Sequence, residues 1–590
     1  MKYSDQIVDW LVELGYTHCF YVGGGNIMHL LDSCSRKMTC IATVHEVAAG
    51  VAVEYFNAVG DGRRALALVT AGPGLTNLVT AVAGAWLESR ELLVLGGQVK
   101  TPDLSRGEVR QRGIQEIDGV SIVRSITAHA STIEDVLDQR AFVERAEAGS
   151  HGRRGPVFLE LPLDIQGREV DPAVLVGQAP VRPSAPALGV SDIDTLAEKV
   201  RAARRPLFLI GGGIDHHTGQ RLAGALEAAG IPVATTWNGA DRIGRDHPMY
   251  VGRANTWGQR SANLIVQQSD LLIALGTRLG YQQSGFNWQE FVPAGEIVHV
   301  DIDDQELTKG HPQTAWPICA DANALLECLL DRDLGDHGDW LAYCRQVRRE
   351  VPLLEANTTG PGFLSPYAVA TALGALSKPE DIIIPCSSGG AFTVMMQAFE
   401  MQSGQRMVTN KGLASMGYGL SGAIGAAIAS GRRTILVEGD GGFSQNLQEI
   451  GTAAVNDLDL KIFIFDDNGY ASIRSVQVNY FQGRYVGCDR ATGLGLPDWS
   501  RLFDVWDVPC MRLAEGFETN PAFLERFNGR GVQAFIVPVD PKQTYFPRIT
   551  SRMVEGGGMV SNPLHRMTPP LSDETLARVG AYLPAGKDTP

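Results

Sequence analysis

Two apolar runs in the last third of the chain, Thr434–Val437 and Ile462–Phe465, each stop at an acidic turn. The first stops at Gly439-Asp440-Gly441-Gly442, the second at Asp466-Asp467-Asn468-Gly469. Between them Leu447, Ile450, Ala454 and Leu458 recur at helical spacing. The pattern predicts strand, turn, helix, strand, turn: a βαβ unit. A right-handed crossover in a parallel sheet brings the carboxyl ends of both strands to one edge, where ligands of open α/β sheets bind. Asp440 and Asp467, 27 residues apart, would meet there. Carboxylate oxygens, a free carbonyl and the amides that open a helix suit a magnesium ion bridging to a diphosphate. Either turn alone is common loop chemistry; the pair, each after a strand and separated by one helix, carries the reading.

The same alternation runs through the whole chain. Residues 1–170 begin with the amphipathic helix MKYSDQIVDWLVELGY and continue with apolar strands at Cys19–Val22, Cys40–Val44, Ala65–Thr70, Leu92–Leu95 and Pro156–Leu161. Several end at glycine: Gly23-Gly24-Gly25, Gly72-Pro73-Gly74 and Gly96-Gly97. The Pro- and Ala-rich stretch 171–190 reads as a linker. A second α/β unit, 191–335, has strands at Leu207–Ile210, Pro232–Thr235, Leu271–Ala274 and Ile297–Val300. A charged helix and a Gly-Pro-Gly break at 360–362 separate it from a third unit, 361–547. Strands there are expected at Ile382–Pro385, Arg406–Val408, Thr434–Val437, Lys461–Phe465 and Ala534–Val537. A Pro- and Gly-containing tail, 548–590, follows. The fold class is therefore α/β, with three doubly wound parallel-sheet domains.

Composition narrows the function classes. With 44% apolar and 20% charged residues in 590, the chain has ample core for several domains. A net charge of −15 without a Lys/Arg-rich block argues against nucleic acid and anionic membrane as partners. The nine cysteines contain no Cys-x-x-Cys pair, which points to free thiols in a reducing cytoplasm rather than zinc or a disulfide framework. The apolar region Ala65–Leu87 is interrupted by Gly72-Pro73-Gly74, Thr76 and Asn77 and is no membrane helix.

Gly-Asp-Gly, followed after such an interval by a strand and an Asn-Asn-like turn, resembles the thiamine diphosphate motif. The resemblance implies that Asp440, Asp467 and the carbonyl of Gly469 hold Mg²⁺. Asp467 stands where the family usually has asparagine, a departure that adds one negative charge. The amides of Gly441 and Gly442, with the Ser388-Gly389-Gly390 turn, would cradle the diphosphate, and Tyr470 would flank it. LASMGYGL resembles the segment that bends the cofactor, which gives Ala414 a carbonyl contact and Met416 the role of an apolar wedge. Glu46, in the apolar context VHEVAAGVAVEYF, corresponds to the glutamate that bonds the aminopyrimidine ring nitrogen and promotes proton removal from the thiazolium carbon.

The resemblance narrows to the acetohydroxyacid (acetolactate) synthase-like family. TAGPGLTNLVTAVAGAWLES is similar to its Gly-Pro-Gly-x-Thr-Asn segment. GIQEIDGVSIVRSITAHA is similar to its Phe-Gln-Glu segment, so that Gln115 reaches the thiazolium or substrate. Ile114 in place of Phe and Ser89-Arg90-Glu91 in place of an apolar residue and Pro are departures. His29, after a glycine-rich turn at the active edge, is a candidate substrate contact, and His45 a weaker one. ALGTRLG, VDIDDQEL and CADANALL resemble FAD-binding pieces of the same family, implicating Gly211, Gly212, Gly276, Arg278, Asp301 and Asp321.

The implied activity is decarboxylation of a pyruvate-like 2-oxo acid with transfer of the acyl-anion equivalent to a 2-oxo acid, ketone or keto-sugar. A simple decarboxylase, a flavin-linked oxidase and a cyclic 1,2-diketone hydrolase are the rival enzymes, and a non-catalytic relative is the rival of another class. Because Glu46 and Asp440 lie in different domains, the resemblance further implies a homo-oligomer, dimer or tetramer, with sites shared between subunits.

Overall fold

The computed structural model describes residues 1–177, 188–553 and 558–584. Residues 178–187 of the expected linker, Gly556 and Gly557 of the tail, and the last six residues lie outside these.

Three six-stranded parallel sheets make the framework. The first contains β1 (Tyr16–Tyr21), β2 (Thr39–Ala42), β3 (Arg64–Val69), β4 (Leu92–Gln98), β5 (His129–Thr132) and β6 (Pro156–Pro162), in the order β2-β1-β3-β4-β6-β5. The second contains β7 (Pro206–Ile210), β8 (Val233–Thr235), β9 (Tyr250–Arg253), β10 (Leu271–Leu275), β11 (Glu296–Asp301) and β12 (Trp316–Cys319), in the order β12-β11-β10-β7-β8-β9. The third contains β13 (Ile382–Ile384), β14 (Arg406–Met407), β15 (Thr434–Gly439), β16 (Leu460–Asp466), β17 (Cys510–Arg512) and β18 (Gln533–Pro538), in the order β14-β13-β15-β16-β18-β17. The first and third sheets share one topology. The second has the order of dinucleotide-binding folds, reversing between β7 and β10.

Central strands such as β4, β7 and β10 are buried along their whole length, as sheets covered by helices on both faces require. Within these three sheets, the four strands that the apolar pattern does not show, β5, β9, β12 and β17, all lie at sheet edges. Three of them are only partly buried, so no continuous apolar run marks them.

The chain forms two compact units. One holds the first sheet with Asp381–Phe392 and Val408–Pro538; the other holds the central sheet with Thr393–Met407 and the segment from Val539 onward. In the first unit, the helix Glu46–Val59 lies against the helix Tyr418–Ser430. Their backbones nearly touch: a Cβ on Gly425 would stand 2.0 Å from the Ala52 carbonyl oxygen, so only glycine fits. This contact packs the first sheet's layer against that of the third within the unit.

In the second unit the tail is part of the core. The helix Arg260–Gln268 buries Arg260, Asn263, Gln267 and Gln268, and three of these donate to tail carbonyls: Arg260 to Met567 and Pro569, Asn263 to Leu564, and Gln268 to Val579. None of the nine cysteines is in a disulfide. No helix among the described residues is long and apolar enough to cross a membrane.

Candidate active site

Asp440 and Asp467 follow adjacent strands. β15 and β16 pair with Gly439 opposite Phe465, which sets Asp440 beside the Asp466-Asp467 turn. The single expected helix between them is in fact broken into Asp440–Phe443, a 3-10 turn at Leu447–Glu449 and Ile450–Val455, with Leu458 beyond its end. Gly442 and Gly451, poor helix formers, flank these breaks. Asp440 is buried; its Oδ1 accepts from the Gly441 amide at 2.7 Å and its Oδ2 from the Gly469 amide at 2.9 Å. Burial, and then the neighbouring Asp467, push the Asp440 carboxyl well above the usual carboxylate range. Burial also lifts Asp467 to about 6, against the pull of Arg474. Two neighbouring buried carboxylates, each raised by burial, form a site that a divalent cation relieves. Gly441 is required here because a Cβ would meet the Tyr470 ring at 2.3 Å. The Gly469 carbonyl oxygen lies 3.3 Å from that same Cβ position, on the same side as Asp440.

The diphosphate side is built at the switch between β13 and β15. Gly389, with φ +82°, opens the helix Gly389–Ala398, and its Cβ position faces open space. Ser388, Gly389 and Gly390 thus present a turn and a helix start at the same edge as Asp440, where anions bind. The neighbouring Ser387 hydroxyl donates to the Ser415 carbonyl oxygen, tying this turn to Ala414–Met416. Ala414 holds φ +56°, a costly conformation for a residue with a side chain and one that functional sites retain. Met416 is partly exposed and its sulfur meets Gln445 Nε2 at 3.6 Å. Beneath this segment Glu438 is fully buried, with Oε2 2.4 Å from a Cβ on Gly419, and burial raises its carboxyl to about 8.

Glu46 is the first residue of its helix, at the carboxyl edge of the first sheet. It is 8% exposed, and its Oε2 accepts from Asn77 Nδ2 at 3.0 Å. His45 caps the helix, with Nδ1 accepting from the Val47 amide at 3.3 Å, so its side chain has a structural use. Gln115 is exposed with φ +64°, its backbone against Gly72 at the end of β3. His29 lies against Gly167, with Nε2 2.9 Å from a Cβ there.

Four residues that the sequence reading did not single out complete the site. Asn77, inside the Gly-Pro-Gly-x-Thr-Asn segment, orients Glu46. Glu449 takes the amides of Val44 and His45. Arg474 pairs with Asp467 at 2.6 Å. Glu54, wholly buried, pairs with Arg90 at 2.8 Å and accepts from Asn410 at 3.0 Å, while Arg90 also donates to the Thr409 carbonyl oxygen. That network gives the Ser89-Arg90-Glu91 departure a structural reason: Arg90 neutralises a buried carboxylate and braces the strand that leads to Ala414.

In the second unit Gly211 and Gly212 end β7 and Gly276 and Arg278 follow β10, so all four stand at the topological switch. Gly213 donates to the Gly276 carbonyl oxygen at 2.8 Å, holding the two loops together. Asp301 closes β11 and accepts from the Asp303 amide at 3.0 Å. Asp321 caps the helix Ala322–Leu330 through the Asn323 amide at 2.8 Å, a local task that accounts for it without a ligand.

Comparison with known proteins agrees with this architecture. Residues 1–122 match the thiamine pyrophosphate enzyme N-terminal TPP binding domain, 193–329 the central domain and 387–537 the C-terminal TPP binding domain. The acetolactate synthase large subunit of Corynebacterium glutamicum is 30% identical over 543 residues, covering 88% of this chain and 84% of that protein. Acetolactate synthase isozyme 1 large subunit of Escherichia coli is 29% identical over 556 residues, covering 92% and 95%. A probable acetolactate synthase large subunit of Methanocaldococcus jannaschii is 28% identical, covering 95% of each chain. Three domain matches in family order and relatives that cover 88–95% of the chain establish that it belongs to the thiamine pyrophosphate-dependent enzymes, in their acetolactate synthase-like branch.

Proposed function

We propose that this enzyme is a Mg²⁺- and thiamine diphosphate-dependent carboligase. It decarboxylates a pyruvate-like 2-oxo acid and delivers the acyl-anion equivalent to a carbonyl acceptor, either a second 2-oxo acid or a ketone such as a keto-sugar. Bound thiamine diphosphate supplies the acyl-anion chemistry. The chain's residues hold and orient it. Asp440, Asp467 and the Gly469 carbonyl are the donors for Mg²⁺; Gly441, Gly442 and the Ser388–Gly390 turn offer amides to the diphosphate. Ala414 and Met416 would support the cofactor between its two rings. Glu46, with Asn77 fixing one carboxylate oxygen, would hold the aminopyrimidine ring nitrogen and assist proton movement there, and Gln115 and His29 would face substrate.

The observation that carries this reading is the placement of Glu46: a carboxylate with little exposure, at a helix start, held by one amide and otherwise unused by the fold. The active assembly is a homo-oligomer in the cytoplasm, with Glu46 of one subunit serving the cofactor held by Asp440 of another. The β7/β10 switch, with Gly211, Gly212, Gly276, Arg278 and Asp301, would carry FAD.

The test is product analysis after incubation with pyruvate, Mg²⁺ and thiamine diphosphate, with and without carbonyl acceptors. A branched hydroxyketone supports carboligation, whereas acetaldehyde alone or acetate alone identifies a decarboxylase or an oxidase. Glu46→Gln is expected to bind the cofactor and turn nothing over; unchanged turnover sinks the mechanism. Flavin absorbance in the supernatant of denatured protein decides FAD.

A further inference from the structure

Asp467 brings a second carboxylate to a site where one buried carboxylate is already expensive, and the fold places a cation beside it. The helix Ala471–Phe481, which starts directly after the metal turn, buries one residue only, Arg474. Its neighbours Ile473, Val476, Val478, Tyr480 and Phe481 are all exposed. Arg474 is 4% exposed and Asp467 6%. Nη2 of Arg474 stands 2.6 Å from Oδ1 of Asp467, meeting it as an ion pair without the alignment of a hydrogen bond. The same guanidinium donates to the Asp467 carbonyl oxygen at 3.0 Å and to the Cys488 carbonyl oxygen at 3.4 Å. Gly469 makes room for it: a Cβ there would lie 2.9 Å from Nη1 and 2.1 Å from the Cys488 oxygen. A guanidinium fixed at two points on Asp467 and a third on Cys488 is a built feature of the turn's surroundings.

Resting on the metal reading above, we infer that Arg474 is the countercharge of the metal site and forms one functional unit with Asp467. The pair presents the cation with a near-neutral donor, one carboxylate oxygen free and the other facing Arg474, while Asp440 supplies the full negative charge. An asparagine at position 467 would suit the cation equally well only if Arg474 were neutral too. With Arg474 left in place, Asp467→Asn puts an uncompensated buried guanidinium beside a divalent ion. Arg474 acts through Asp467 and is a positioning residue.

The experiment is a double-mutant cycle read by Mn²⁺ binding, with paramagnetic resonance of free Mn²⁺ on the full chain at saturating thiamine diphosphate. Asp467→Asn is expected to weaken Mn²⁺ about tenfold, within the coupling range of neighbouring residues. Arg474→Met binds Mn²⁺ no weaker than wild type, and Asp467→Asn with Arg474→Met returns to within about threefold of wild type. A double variant as weak as Asp467→Asn alone overturns the inference. If the double variant does not fold, Arg474→Lys decides. Affinity within about threefold of wild type supports a countercharge, whereas loss comparable to Asp467→Asn shows a shape-dependent anchor and overturns it. Asp440→Asn separates the two levels: Mn²⁺ binding unchanged in that variant refutes the metal site itself rather than the role of Arg474.

Discussion

The Glu449 carboxylate accepts the backbone amide of His45 at 3.0 Å and that of Val44 at 3.2 Å, so a residue nine positions after Asp440 holds the loop that delivers Glu46. Glu449 is fully buried, and its second oxygen accepts from Thr452 at 2.6 Å. The proposed metal turn and the proposed catalytic glutamate of one chain are therefore mechanically connected.

Glu449→Ala leaves the Val44 and His45 amides without their acceptor, at about 1–3 kcal/mol for each group that stays buried. The expected result is a kcat lowered by about tenfold or more with thiamine diphosphate affinity nearly kept, because Glu449 touches the Glu46 loop and not the cofactor cradle. Glu449→Gln, which keeps one acceptor oxygen, falls between. Steady-state kinetics beside cofactor titration checks this; a changed cofactor Kd with unchanged kcat contradicts it.

Arg90→Met should destabilise the first unit strongly. Glu54 is wholly buried, and breaking a buried pair by removing one partner costs about 3–5 kcal/mol. Glu54→Gln combined with Arg90→Met removes both charges and should recover most of that loss. Thermal unfolding of wild type and the two variants at pH 8 measures it, and equal stability of Arg90→Met and wild type defeats the account.

Of the residues proposed to carry the chemistry, Asp440, Asp467 and Gly389 were legible because turn residues and apolar runs coincide there, each following a strand inside its sheet, whereas Glu46 follows the edge strand β2 and stood out through the apolar stretch around it. What stayed hidden were relations between distant segments. Arg474 lies four residues past Tyr470 in a helix with an unremarkable pattern, and only the fold of the 466–470 turn brings its guanidinium back to Asp467. Glu54 and Arg90 are 36 residues apart, so nothing local reveals their pairing. Edge strands such as β5, His-Ala-Ser-Thr, lack an apolar signature because they are half exposed. The tail likewise looked like an appendage, since its contribution is made by carbonyl groups that composition does not register.

Ending the chain after Pro547 removes the carbonyls that Arg260, Asn263 and Gln268 use, and exposes the core positions filled by Leu564, Met567 and Val579. Burial of three such side chains is worth roughly 1.5–3 kcal/mol each. The shortened protein should show faster hydrogen exchange in the helix Arg260–Gln268, with that of the helix Glu46–Val59 unchanged. Equal exchange in the first helix with and without the tail disproves its structural role.

Glu160, on β6, offers a pH signature. It is buried, its Oε2 accepts from Thr132 at 2.9 Å, and burial raises its carboxyl from 4.5 to about 7. Between those values the folded chain holds a proton that the unfolded chain has released. Stability therefore falls as pH rises through that window, by at most about 1.4 kcal/mol per pH unit, and levels off above it. Glu160→Gln cannot ionise. The stability of this variant minus that of wild type should be flat below about pH 4.5, climb between 4.5 and 7, and stay level above 7. Taking the difference cancels contributions from the buried histidines, whose charged forms burial disfavours equally in both proteins. Denaturant unfolding across pH 4 to 8 reads it, and a difference that falls with pH, or does not change, refutes the assignment.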